Sequence, residues 1–135
     1  MELVKQWGLG LVVFVLMDAV WLGFVANGFY KRELGPLLRQ HANGNLDPRL
    51  LPAALLYALL VLGLAVFALP RARVGAVGEA ALWSAAFGVI AYSVYDLTNY
   101  STMQGFSLKV TTVDMLWGGL ICAAAGAAMH ALGRA

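Results

Sequence analysis

Asp18, Asp96 and Asp114 each stand inside a long apolar stretch. An acid at the centre of a bilayer costs about 2.5–3.5 kcal/mol on insertion scales, so each is a functional-site hypothesis by default. None has a Lys or Arg one helical turn away in its own stretch. Their neighbours at helical spacing are hydrogen-bonding residues instead. Tyr92, Ser93, Asp96, Asn99 and Tyr100 fall at i−4, i−3, i, i+3 and i+4, which makes one polar stripe. Thr111 and Trp117 share a face with Asp114, and Trp21 shares one with Asp18. Tyr, Ser, Thr and Trp all donate to carboxylates, and Asn99 both donates and accepts. Carboxyls among such donors can exchange protons against a cation, divide into an acid and a base, or tie helices together. A hard cation on Asp oxygens with Asn99 and Thr111 is a lesser option. Zinc and haem fit poorly: His41 and His130 lie far apart, His130 reads as an interfacial end-of-helix residue, and Cys122 stands alone. No metal or cofactor is expected. No nucleophile motif, phosphate loop, dinucleotide fingerprint or Cys-x-x-Cys occurs.

The elements that carry these acids follow from composition. In a chain of 135 residues, 61% are hydrophobic and 12% charged, against about 45–50% and about 25% in soluble domains. Mean hydropathy is +0.78. So small a soluble domain cannot hide that much apolar surface. A lone soluble globule, a disordered chain and a disulfide scaffold are excluded, and a net charge of +2 is too weak to bring a nucleic-acid partner. A bilayer takes about 20 apolar residues per helical crossing. Four stretches qualify, at about 7–26, 50–69, 80–99 and 108–131. The expected fold is an all-α integral membrane four-helix bundle, one domain over residues 1–135, with both termini on one side. Pro70, Arg71 and Arg73 close the second span. The first span is read as retained, because Lys5 is a thin charged region and no small-x-small cleavage site follows. Helix two carries little that is polar beyond Tyr57, and packing is its main expected role.

Alternating topology brings the acids to one depth. Asp18 lies about 17 Å along the first span, Asp96 near the end of the third, and Asp114 about two turns into the fourth. All three therefore fall under the long connection at 27–49, and the pocket they suggest is enclosed by helices one, three and four and walled by Trp21 and Trp117. That connection mixes apolar and basic residues, which suits a segment lying in the interface or a lid. His41-Ala42-Asn43-Gly44-Asn45 is turn chemistry. Trp7, Phe29, Tyr30 and Tyr100 read as interfacial belt residues. Ala19 with Gly23, Ser84 with Gly88, and Cys122 with Gly126 offer small faces for close helix packing. Lys31, Arg32, Arg39, Arg49 and Lys109 on one side face Lys5, Arg71, Arg73 and Arg134 on the other, which barely leans the termini towards the cytoplasm. The motif Asp-x-x-Trp-x-Gly occurs twice, at Asp18-Trp21-Gly23 and Asp114-Trp117-Gly119, on helices of opposite direction.

Tyr95-Asp96-Leu97-Thr98-Asn99-Tyr100-Ser101-Thr102, with Thr112-Val113-Asp114-Met115-Leu116-Trp117-Gly118, resembles the family called domain of unknown function 2177. Its members are small predicted bacterial membrane proteins. The resemblance extends to Asp18, Trp21 and Phe29-Tyr30, and implies a multi-pass protein of a bacterial inner membrane. It brings no activity, cofactor or substrate, and it inclines the ligand towards lipids.

Three functions stay open. The first is a pocket that binds or transports a lipid-like or cationic small molecule, with proton coupling, membrane lipids as partners and a homodimer to enlarge the carrier. Its ligand-binding residues are Trp21, Tyr92, Ser93, Asn99, Tyr100, Thr111 and Trp117. The second is an acid–base enzyme acting on a lipid or isoprenoid, with Asp96 oriented by Tyr92 and Asn99, and Asp114 or Asp18 as its partner. The third is a structural or accessory bundle. Ligand handling ranks first.

Overall fold

Helix follows helix in a computed structural model that describes residues 1–133, and no strand occurs among them. Arg134, counted above with the basic residues of the terminal side, lies outside the described residues. Helix α1 covers Glu2–Val20 and passes into a π-helical turn, Trp21–Val25. Helix α2 is short, Asn27–Leu34. Helix α3 covers Leu50–Gly63 and continues through a π-helical turn, Leu64–Ala68, into a 3-10 turn, Leu69–Arg71. Helices α4, Val77–Thr102, and α5, Leu108–Leu132, complete the chain.

Four segments are long and apolar enough to cross a membrane: Glu2–Val25, Leu50–Arg71, Val77–Thr102 and Leu108–Leu132. The second ends where Pro70 removes a backbone donor, as expected. The first starts at Glu2 rather than near Trp7. Glu2, Lys5 and Gln6 are good helix formers, and an acid in the first turn complements the helix dipole, so nothing stops the helix at the edge of the apolar run.

Helices α4 and α5 form the tightest antiparallel pair. A Cβ on Gly88 would lie 2.1 Å from the Gly118 carbonyl oxygen, and one on Gly126 would lie 1.9 Å from Ser84 Oγ. Ser84 and Gly88 thus face Cys122 and Gly126, the small-residue contact that lets two backbones approach in lipid. Ala19 and Gly23 do not make such a contact. Both are exposed, and a Cβ on Gly23 would meet nothing within 4 Å, so this face points away from the other helices.

Apolar packing divides into two clusters. The larger, at the terminal end, joins Phe14, Val61, Leu64, Leu69, Ile121 and Met129. The smaller, at the connection end, joins Ala26, Tyr30, Leu34 and Val110. His130, expected at the interface, is buried instead, and neither ring nitrogen has a hydrogen-bond partner among the described residues. Gln6 of α1 is buried at the same end and packs against the Gly133 turn, and Glu79 in the first turn of α4 lies within electrostatic reach of the imidazole.

The connection at 27–49 is folded. After α2 and the 3-10 turn Gly35–Leu37, Gln40 pairs with Leu46 around a turn closed by His41 and Asn45, with Gly44 at positive φ. Asp47 holds Arg39 at 3.3 Å and His41 at 3.5 Å. Ser107 caps α5 through the Val110 N–H and donates to Glu33 of α2 at 2.7 Å, which pins the connection to the bundle.

Candidate functional site

Between the two apolar clusters lies a cavity of about 510 Å³, with Asp18, Trp21, Tyr57, Tyr92, Asp114 and Trp117 in its wall. All four spanning segments contribute, and the connection roofs it with Leu34, Leu37, Leu38, Arg39, Leu46 and Pro48.

Asp18, one turn before the π segment, is 7% exposed. It accepts hydrogen bonds from the Tyr57 hydroxyl of α3 and, at 3.2 Å, from the Trp117 indole N–H of α5. Asp114 accepts from the Tyr30 hydroxyl, and that oxygen in turn accepts the Trp21 indole N–H at 3.1 Å. The two indoles stack, 4.3 Å between centroids and 8° between planes. Burial first, then the neighbouring Asp114 carboxylate, push the Tyr30 phenol well above its ordinary range, so it remains a donor.

Asp96 is fully buried behind this layer, its carboxyl within hydrogen-bonding reach of the Asp114 carboxyl, and among the described residues no other group pairs with its oxygens. The ion pairs Arg39–Asp47, His41–Asp47 and Arg73–Glu79 lie at the ends of the bundle and involve none of Asp18, Asp96 and Asp114. No group of three His, Cys, Asp or Glu converges as a metal site among the described residues.

The remaining candidates from the sequence lie away from the cavity wall. Ser93 donates to the Val89 carbonyl of its own helix at 2.5 Å, and Thr111 to the Ser107 carbonyl at 3.0 Å. Asn99 sits beside Tyr95, and Tyr100 is 46% exposed near the end of α4. Hydroxyls of Ser and Thr in apolar helices turn back to the preceding carbonyl when nothing polar faces them, which weakens the polar stripe as a guide.

Two tyrosines were read otherwise from the sequence. Tyr57 makes helix α3 part of the acid network rather than packing alone. Its depth, about two turns in from Leu50, was a legible signal. Tyr30 is not an interfacial belt residue but a buried donor to Asp114. Ala26, Tyr30 and Leu34, four apart and buried together, form the inward face of the chain entering and following α2.

No curated protein and no solved structure matches the chain. A family model described as predicted membrane protein (DUF2177) matches residues 3–131, nearly the whole chain. This chain, with its four apolar helices, belongs to that family of predicted membrane proteins.

Proposed function

We propose that the protein binds a small amphiphile, with its apolar chain in the cavity and a hydrogen-bond-donating, cationic head group at Asp18 and Asp114. The observation that carries this reading is the pairing of two carboxylates, without ionic partners, in the wall of an otherwise largely apolar cavity. Ionised carboxylates only accept hydrogen bonds, so a donor head group completes them. The Trp21–Trp117 stack offers aromatic surface beside a cation. Asp96, adjacent to Asp114, supplies a second carboxyl to which a proton can pass when the ligand arrives or leaves, which is the chemistry of proton-coupled exchange.

The test is quenching of Trp21 and Trp117 by bromododecylamine in nanodiscs, in a background carrying Trp7→Phe and Trp83→Phe. Saturable quenching is expected, with affinity about tenfold weaker in Asp18→Asn and in Asp114→Asn. Quenching that is linear in amine and indifferent to both substitutions would refute the reading.

A second reading, acid–base chemistry on a lipid or isoprenoid, is favoured by the adjoining carboxyls of Asp96 and Asp114, which lie within hydrogen-bonding reach of each other. A lipid species present in cells overproducing the wild type, and absent both with Asp96→Asn and without the gene, would establish it.

A further inference from the structure

Helices α3 and α4 meet at the terminal end and separate towards the connection. They touch at Gly63, where an added Cβ would lie 2.5 Å from the Phe87 ring. Beyond it, α4 packs along the π segment Leu64–Ala68 and the turn Leu69–Arg71, whereas the regular part of α3 lies against α1. Towards the connection the two helices diverge. One turn from that contact, Leu60 and Ala91 line the cavity, and about one turn further Leu56 and Tyr95 do so.

Leu56 and Tyr95 are also both 58% exposed. A residue that lines a cavity and is more than half exposed stands where the cavity meets the outside. Leu56 is about 9 Å in from the start of α3 and Tyr95 about 10 Å from the end of α4, at 1.5 Å per residue. That depth is hydrocarbon, not headgroup, in a bilayer whose apolar core is about 30 Å thick. The medium at the opening is therefore acyl chain. On the connection side Arg39, with 55% of its side chain exposed, and Pro48 also line the cavity and reach the outside, within a segment that Ser107 ties down through Glu33.

We infer that the cavity opens sideways into one leaflet, the leaflet on the connection side, through the gap between α3 and α4. Its ligand is then a membrane-resident, single-chain amphiphile, whose head passes inward between Leu56 and Tyr95 and whose chain follows it into the cavity. The off-centre depth of the acids agrees with a site served from one leaflet. This inference rests on the amphiphile-binding reading above and adds the route and the class of ligand.

The experiment uses nanodiscs containing hexadecylamine with a diazirine midway along its chain, photolysed and mapped by peptide mass spectrometry. Label is expected at Leu56, Leu60, Ala91 or Tyr95 above that at Leu59 and Ile90, which face outward at 66% exposure each. Unlabelled hexadecylamine should compete it away. Ala91→Trp, which narrows the gap, should reduce it by about fivefold or more, and Tyr95→Ala, which widens it, should raise it. Label spread evenly over Leu56, Tyr95, Leu59 and Ile90 would overturn the lateral route. If bromododecylamine still quenches in an Asp18-dependent way, the binding reading survives that failure, and if it does not, both fall. Equal enrichment with a diazirine hexadecanoic acid would overturn the cationic head group.

Discussion

The indole N–H of Trp117 donates to Asp18 Oδ1 at 3.2 Å, joining residues 99 apart in the chain. Its counterpart runs the other way, from Trp21 through the Tyr30 hydroxyl to Asp114. The two Asp-x-x-Trp-x-Gly motifs therefore interlock. Each acid is served by the tryptophan of the other motif, directly in one case and through a phenol in the other. The stacked indoles form the contact between them.

Replacing Trp117 with Phe keeps an aromatic ring in the stack and removes the donor to Asp18. Interhelical hydrogen bonds in membranes contribute about 0.6–2 kcal/mol, so a loss of that order is expected in unfolding from mixed micelles. A double-mutant cycle with Asp18→Ala should show coupling of about 0.5 kcal/mol or more. Additive losses would mean that the contact carries no energy.

Tyr30 links stability to alkaline pH. Its phenol is raised above its ordinary value of 10.0 by burial, and further by Asp114, so the unfolded chain loses this proton before the folded one does. Stability from this group is thus fully present below about pH 10 and declines as pH rises further. The decline should be shallower in Tyr30→Phe, and Tyr30 should show no phenolate absorbance at pH values where free tyrosine ionises. Identical alkaline profiles for wild type and variant would contradict this.

Two glycines should respond in opposite directions to alanine. At Gly88 the added Cβ meets the Gly118 backbone, which cannot move aside, so Gly88→Ala should cost about 1–3 kcal/mol or more by forcing α4 from α5. At Gly23 nothing lies within 4 Å, so Gly23→Ala should be neutral or stabilising by up to about 1 kcal/mol. Thermal unfolding of the two variants side by side tests the packing.

Ser107→Ala removes the cap of α5 and the tether to Glu33 together. A loss of about 1–2 kcal/mol is expected. Hydrogen exchange should accelerate most across Asn27–Leu34, because that helix is the segment released. Unchanged exchange there would show that the roof is held by its apolar cluster alone.

The spans were legible because about 20 apolar residues per crossing is a demand of the bilayer itself, independent of how the helices pack. The common depth of Asp18, Asp96 and Asp114 followed from alternation of direction alone. The small faces Ser84–Gly88 and Cys122–Gly126 followed from helical spacing, and both are used in the α4–α5 contact. Ala19–Gly23 had the same spacing and is not used, because that face of α1 is exposed and meets no other helix. Spacing along one helix says which residues share a face, but not which neighbour that face meets. Only the tertiary structure decided that Tyr30 and Tyr57, from the connection and from the least polar span, serve Asp114 and Asp18. It also set Asp96 behind the cavity wall, turned Ser93 and Thr111 to their own backbones, and splayed α3 from α4 beyond Gly63 and Phe87. Those outcomes depend on crossing angles and side-chain contacts between helices, which local sequence pattern does not encode.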